Sequence, residues 1–144
     1  MKTAYSLIFF LLIPGLACST KEMKTGADKI TFGIYEIVEP DSQQGIFIDS
    51  LAVSLKPGAL LDNSAIHKAK QVGKNVEIYF NLEGARAWAK ITREHTGKKL
   101  AFVIDGRIYA LPYINAEIRN GMALINGLEN EEMAKRIADG LNDR

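Results

Sequence analysis

Residues 75–127 read NVEIYFNLEGARAWAKITREHTGKKLAFVIDGRIYALPYINAEIRNGMALING, and this stretch decides the fold. Its first six residues alternate apolar and polar side chains, which is typical of a half-buried strand. Asn81 follows as a helix N-cap with Glu83 in the first turn, and together they predict a helix over residues 82–95. The predicted inner face of this helix consists of Ala85, Trp88, Ala89 and Thr92.

A β-hairpin is predicted next, because Asp105-Gly106 is a dipeptide that suits a two-residue type I′ turn. This turn pairs Phe102 with Tyr109 and places both, together with Leu111, on one face of the hairpin. That aromatic face is our candidate binding surface. The opposite face has smaller side chains that suit a helix packed upon it: Ala101, Val103, Ile108 and Ala110.

A second, weaker hairpin is predicted over residues 113–126, with its turn at Asn120-Gly121. Pro112 cannot donate to a strand ladder, so we place it at a strand end, and Gly127 ends the second hairpin. Asn130 then caps a last helix, whose predicted buried stripe is Met133, Ile137, Ala138 and Leu141.

Upstream of residue 75, the pattern predicts strands over residues 30–38 and 46–55 and a helix over residues 62–73 that Gly73 ends. His67 falls on the polar side of that helix, so we expect it to face solvent. The predicted fold is therefore an α+β domain with a mixed or antiparallel sheet, two β-hairpins and about three helices on one face.

The first 17 residues have the features of a secretory signal: Lys2, an apolar run over residues 4–13 and small residues before Cys18. The order Gly-Leu-Ala-Cys predicts cleavage between Ala17 and Cys18, with Cys18 lipidated (for example with palmitate) as in a bacterial lipobox. The alternative is a soluble secreted or periplasmic protein with a free thiol. Residues 18–28 are polar and predict a tether, and residues 29–144 form the predicted domain.

The charge and motif content exclude several function classes. Lys2 is one of 18 basic residues, so the chain after the signal has 17 basic and 17 acidic residues, which argues against nucleic acid as a partner. Its two histidines are far apart, and neither a zinc motif nor a nucleophile or phosphate-loop motif occurs. We therefore expect no catalytic residue, no metal and no cofactor.

The ordered features of residues 80–127 resemble the head subdomain of the first periplasmic domain of SecD and SecDF protein-export subunits. The resemblance covers residues 30–141. It is carried by a glycine-alanine helix start, a threonine near the helix end, a Gly-Lys before an apolar strand, a turn and later glycines. These features are Gly84-Ala85, Thr92, Gly97-Lys98, Asp105-Gly106, Pro112, Gly121 and Gly127.

This resemblance implies a small α+β fold that contacts unfolded or emerging polypeptide, or an envelope protein partner, outside the cytoplasm. The proton-coupled work of SecDF proteins uses charged residues in transmembrane helices, and no such helix follows the signal in this sequence. We therefore expect an anchored module of the bacterial cell envelope without the motor. The alternative is a structural or inhibitory envelope lipoprotein with no role in export.

Overall fold

The computed structural model describes residues 29–38, 46–47 and 53–143. The predicted signal, cleavage site, lipidation site and tether all lie outside these residues, as do residues 48–52 of the predicted second strand. Within them the chain is α+β, as predicted, and its strand pairs are antiparallel. The strands and helices are β1 Phe32–Val38, β2 Ile46–Phe47, β3 Ser54–Leu55, β4 Leu61–Asp62, β5 Ile66–Val72, β6 Asn75–Phe80, α1 Leu82–Glu94, β7 Leu100–Ile104, β8 Arg107–Ala110, β9 Met122–Ile125 and α2 Glu131–Asn142, with a 3₁₀ turn at Asn63–Ala65.

The first sheet has the order β2-β3-β1-β7-β8, with β4 paired to β1. Its β7–β8 hairpin turns at Asp105 (φ 47°) and Gly106 (φ 75°), the two positive φ angles that a type I′ turn requires. The Asp105 carboxylate also accepts a hydrogen bond of 2.8 Å from the Thr31 backbone N–H. The predicted hairpin turn is therefore confirmed, and it is also tied to the start of β1.

The register of this hairpin departs from the prediction after its second pair. Val103 pairs with Ile108 as expected, but an irregularity follows and Phe102 pairs with Ala110 instead of Tyr109. Because side chains alternate between faces, one extra residue reverses the face of every later side chain. Ala110 therefore packs against the main core, while Leu111 packs against the separate cluster of Leu55, Ala101 and Val103.

The first helix packs on the other face of the hairpin from the one that we predicted for a helix. We expected a helix on the face of Ala101 and Val103, and this is wrong. Trp88 of α1 lies against Phe102, with 6.0 Å between the ring centroids, while Leu55 of β3 belongs to the cluster of Ala101 and Val103. The larger side chains of β7 thus form the inner face beneath α1.

The second sheet has the order β5-β6-β9, and it shows that the predicted helix over residues 62–73 is wrong. A β-bulge between Ile66 and Lys68 lets Ile66 and Ala69 both face the core although they are three residues apart. This spacing imitates the period of a helix. Gly73 (φ 57°) then forms the tight turn that joins β5 to β6.

The predicted second hairpin is also wrong, since no strand forms at residues 114–119. Instead, β9 pairs with β6 far away in sequence, with Ile78 opposite Ala123. The fold does contain two tight hairpins, but the second is β5–β6.

Both remaining helices begin where their caps predict. The side chains of Asn81 and Asn130 accept hydrogen bonds of 2.8 Å from the N–H groups of Gly84 and Met133. The inner face of α1 includes Trp88, Ile91 and Thr92. The stripe predicted for α2 is largely confirmed, because Ile137, Ala138 and Leu141 are buried and Met133 is partly buried.

Candidate functional site

The three residues of the predicted binding face do not form one exposed surface. Phe102 is only 1% exposed and its ring lies edge-on to Phe32 at 6.2 Å. Tyr109 is partly buried against the main core, and Leu111 packs with the second cluster on the other side of the sheet. The irregularity at Phe102–Val103 places Leu111 on the opposite face of the sheet from Phe102. No short-range pattern in the sequence predicts this irregularity.

The motif residues shape the backbone around α1. A Cβ at Gly84 would lie 2.5 Å from the Ala65 carbonyl oxygen, and one at Gly121 would lie 2.9 Å from the Ala85 Cβ. Gly97, Gly121 and Gly127 all have positive φ angles. Pro112 accepts a hydrogen bond of 3.1 Å from the Leu100 N–H. These residues thus allow close approaches and turns.

An apolar groove of about 280 Å³ lies beside α1. The buried rings of Trp88 and Phe102 form its floor. The extended segment 112–114 and the residues 122–124 of β9 line it, together with Ile118 and Asn120. None of the lining residues carries a charge.

The groove is lined by two segments that are each held in an extended conformation. Residues 112–114 continue β8 beside β7, because Ile114 donates to the Lys98 carbonyl at 2.9 Å and accepts from the Gly97 N–H at 2.8 Å. On the other segment, β9 pairs with β6.

Two side chains of helix α1 form hydrogen bonds with the backbone of groove-lining residues. The Trp88 indole donates a hydrogen bond of 3.0 Å to the Met122 carbonyl. The Thr92 hydroxyl, which is fully buried, accepts one of 2.8 Å from the Ile118 N–H. These two hydrogen bonds tie α1 to β9 and to the loop that precedes it.

Two of the large apolar side chains that the described residues leave exposed line this groove. Tyr113 is 54% exposed and Leu124 is 43% exposed. Glu117 and Arg119, which flank the groove residue Ile118 in sequence, form an ion pair at 2.8 Å, and its hydrogen bond lowers the pKa of the Glu117 carboxyl. The groove thus has an uncharged, largely apolar lining with charged residues next to it in sequence.

Both histidines of the chain lie within the described residues. His67 is exposed, as expected. His95 caps the C-terminal end of α1, with Nδ1 2.8 Å from the Ile91 carbonyl oxygen and Nε2 3.6 Å from the Glu36 carboxylate. No cluster of three or more potential metal-ligating side chains occurs in these residues. None of their helices is long and apolar enough to cross a bilayer.

Comparisons with known proteins place the chain. The family model described as the SecDF P1 head subdomain matches residues 35–143. The SecDF subunit of Thermus thermophilus is 44% identical over 63 residues, which are 44% of this chain and 9% of that protein. The SecD subunit of Syntrophobacter fumaroxidans is 30% identical over 142 residues, 95% of this chain and 26% of that protein.

Solved structures agree with the sequence matches. A structure of SecDF, a membrane component that enhances protein export, has a TM-score of 0.70 at 25% identity and covers 92% of this chain and 72% of that one. SecDF in a super-membrane-facing form gives a TM-score of 0.68 at 27% identity, over 81% of this chain and 19% of that one. This chain spans less than a third of the two curated relatives. It belongs to the SecDF P1 head subdomain family.

Proposed function

We propose that this chain is a non-catalytic module of the bacterial cell envelope that binds polypeptide segments outside the cytoplasm and takes part in protein export. The observation that carries the proposal is the uncharged groove with an aromatic floor and two exposed apolar residues, Tyr113 and Leu124. Exposed apolar surface next to polar surroundings is typical of interaction sites.

The dimensions of the groove favour a polypeptide over an enclosed small molecule. Its volume of about 280 Å³ is at the lower limit of the ~300–1,000 Å³ of most small-molecule pockets, and its lining lacks convergent charged groups that would orient a ligand. Apolar side chains of an unfolded segment match this lining. Family membership favours this proposal over a structural or inhibitory envelope lipoprotein.

Peptide titration tests the proposal, with Trp88 as the reporter because it is the single tryptophan of the chain. We expect apolar unfolded peptides to change its fluorescence and Leu124→Ser to weaken their binding. Leu82→Ser is the matched control, since Leu82 is 69% exposed but does not line the groove. Absence of binding across a broad set of peptides, or equal losses in both variants, would reject the groove as the site.

We propose further that Cys18 carries a lipid anchor, supported by the residues that precede it in the sequence. Acyl chains contribute about 0.8 kcal/mol per buried methylene group, and more than one chain gives stable attachment. Wild-type protein should enter the detergent phase, and Cys18→Ala should stay in the aqueous phase. If wild-type protein and Cys18→Ala enter the same phase, the proposal that Cys18 carries the anchor is rejected.

A further inference from the structure

Among the residues that the structure describes, the outer edge of β9 has backbone groups without a partner. In an antiparallel ladder, successive residues point their N–H and C=O groups alternately toward the partner strand and away from it. The Phe80 N–H donates to the Gly121 carbonyl at 2.9 Å, and the register continues through Ile78 opposite Ala123. Met122 and Leu124, which alternate with these positions, therefore direct their backbone groups away from β6.

The two outward-facing residues differ in one respect. The Met122 N–H donates to the Asn120 side chain at 3.1 Å, and its carbonyl accepts from Trp88 at 3.0 Å. Leu124 has no such partner for its N–H or C=O within the described part of the chain. The edge is thus closed at Met122 and open at Leu124.

Tyr113 presents a second open position in the same groove. It forms an antiparallel bridge with Lys99, in which its neighbours Pro112 and Ile114 make the hydrogen bonds to residues 97–100. The Tyr113 N–H and C=O point the other way, and no partner for them is found in residues 29–38, 46–47 or 53–143. Both segments that line the groove therefore have free strand-type backbone groups.

The opposite edge of the same sheet is protected. The N–H and C=O of Ala69 on β5 are both bound by the Asn142 side chain, each at 2.8 Å, and Lys68 and Lys70 are exposed beside it. Lysines and covering groups are common devices that prevent strands from adding to an edge. Within the described part of the chain, the open edge at Leu124 has neither a lysine nor a covering group.

We propose that the groove takes an extended, apolar polypeptide segment as an added β-strand, which pairs with the backbone at Leu124 and at Tyr113. Every second side chain of the segment then faces the floor of Trp88 and Phe102. This inference rests on the proposed function and specifies its mode. Main-chain pairing supplies affinity with little dependence on sequence, which suits a binder of varied unfolded chains.

Peptide chemistry tests the mode without changing the protein. An apolar peptide that binds wild-type protein is compared with the same sequence N-methylated at every central amide, which keeps the side chains but removes the donors. The loss of one hydrogen bond weakens binding by a factor of several to about ten. Because the methylated peptide loses its central donors, we expect it to bind at least about tenfold more weakly. Equal binding of the two peptides would overturn strand addition.

Two measurements on the protein complete the test. Amide exchange at Leu124 and Tyr113 should slow when the peptide binds, whereas exchange at Leu82, at the exposed start of α1, should not. Leu124→Pro removes the outward N–H without removing a bond to β6, so it should bind about tenfold more weakly than Leu124→Ala. Equal affinities of these variants, or unchanged exchange at both amides, would overturn the proposal. Were Leu124→Pro unfolded, the exchange and N-methyl results on wild-type protein would decide.

These outcomes distinguish a failure of strand addition from a failure of the proposed polypeptide binding. If no peptide binds, the proposed function itself fails. If peptides bind, lose affinity in Leu124→Ser and yet tolerate N-methylation, the groove binds side chains only, and strand addition alone is rejected.

Discussion

Gly84 lies where α1 packs closely on the 3₁₀ turn, with room for no side chain between it and the Ala65 carbonyl. Ala is the better helix former by about 1 kcal/mol, but here its methyl group would meet rigid backbone. We expect Gly84→Ala to lower the unfolding free energy by about 1–3 kcal/mol, the usual cost of overpacking, in urea denaturation.

The control for this prediction is Gly140→Ala on α2. Its added methyl group would lie 2.6 Å from both the Cδ1 and the Cγ1 of Ile30 and 3.1 Å from its Cβ, so it would meet a side chain rather than backbone. The helix-forming gain is the same at both sites, so Gly84→Ala should be the more destabilising of the two. A larger loss of unfolding free energy in Gly140→Ala would contradict this prediction. It would mean that Ile30 accommodates the added methyl group less well than the backbone of Ala65 does.

Glu36 makes the unfolding free energy depend on pH in the acidic range. The Lys56 ammonium, 2.8 Å away, is the main reason that the pKa of this carboxyl lies below its ordinary value of 4.5, and His95 adds to the effect. A lowered carboxyl pKa gives stability that is fully present above the ordinary value and is lost as the pH falls below it. We expect Glu36→Gln to be less stable than wild type at about pH 6, with the difference shrinking toward about pH 3.

The measurement is urea unfolding of both proteins across this range of pH. Lys56→Met removes the main cause of the shift, so its curve should approach that of Glu36→Gln. A constant difference between wild type and Glu36→Gln at every pH would show that the carboxylate contributes nothing through its charge.

At the scale of elements, local signals in the sequence predict some segments and miss others for identifiable reasons. Asn81, Asn130 and Asp105-Gly106 act on residues within one turn of themselves, so the two helices and the first hairpin follow from the sequence. The strand β5 does not, because its bulge spaces Ile66 and Ala69 as a helix would. A bulge depends on the partner strand, which a local pattern does not contain.

Local patterns do not predict the groove, for a related reason. One of its extended segments, β9, pairs with a strand remote in sequence, with Ala123 opposite Ile78. The other continues the first hairpin past its irregularity, with Tyr113 opposite Lys99. The apolar alternation near Ile114 resembles a hairpin strand, yet these residues line the groove instead. Phe102 belongs to the predicted binding face of the hairpin, but it is buried and lies at the floor of the groove rather than on an open face.

The contact of α1 with the loop before β9 leads to a prediction on Thr92. Thr92→Val keeps the shape of the side chain and removes the acceptor for the Ile118 N–H. We expect a loss of about 1–3 kcal/mol in unfolding free energy and weaker peptide binding, because Ile118 would no longer be held at the groove. Thr92→Ser keeps the hydroxyl and should retain binding. Equal peptide affinities of the two variants would contradict a role for this hydrogen bond.

The outer edge of β5 is protected by one side chain of α2, that of Asn142. Asn142→Ala removes both hydrogen bonds to Ala69, which is 3% exposed, and leaves a donor and an acceptor unsatisfied. We expect a loss of about 1–3 kcal/mol, seen in thermal unfolding, and faster amide exchange at Ala69. Asp143→Ala, at the exposed neighbouring position, should change neither.

At the scale of the whole molecule, the described fold is held by one main core and a smaller cluster on the other side of the first sheet. Ile30 belongs to the main core, and so does Leu141. The two ends of the predicted domain, residues 29–144, are therefore held by the same set of contacts. We expect this unit to unfold in one cooperative step.

Limited proteolysis of the full chain tests this boundary. Residues 18–28 include Lys21 and Lys24, and their one large apolar side chain is Met23, so trypsin should cut there first and leave a fragment that starts before Ile30. Exposed lysines inside the domain, such as Lys68 and Lys70, are a built-in control, because strand pairing should protect them. The resulting fragment should keep the peptide affinity of the uncut chain. Early cleavage within residues 29–143, or loss of binding after removal of residues 18–28, would mean that the functional unit includes more than the predicted domain.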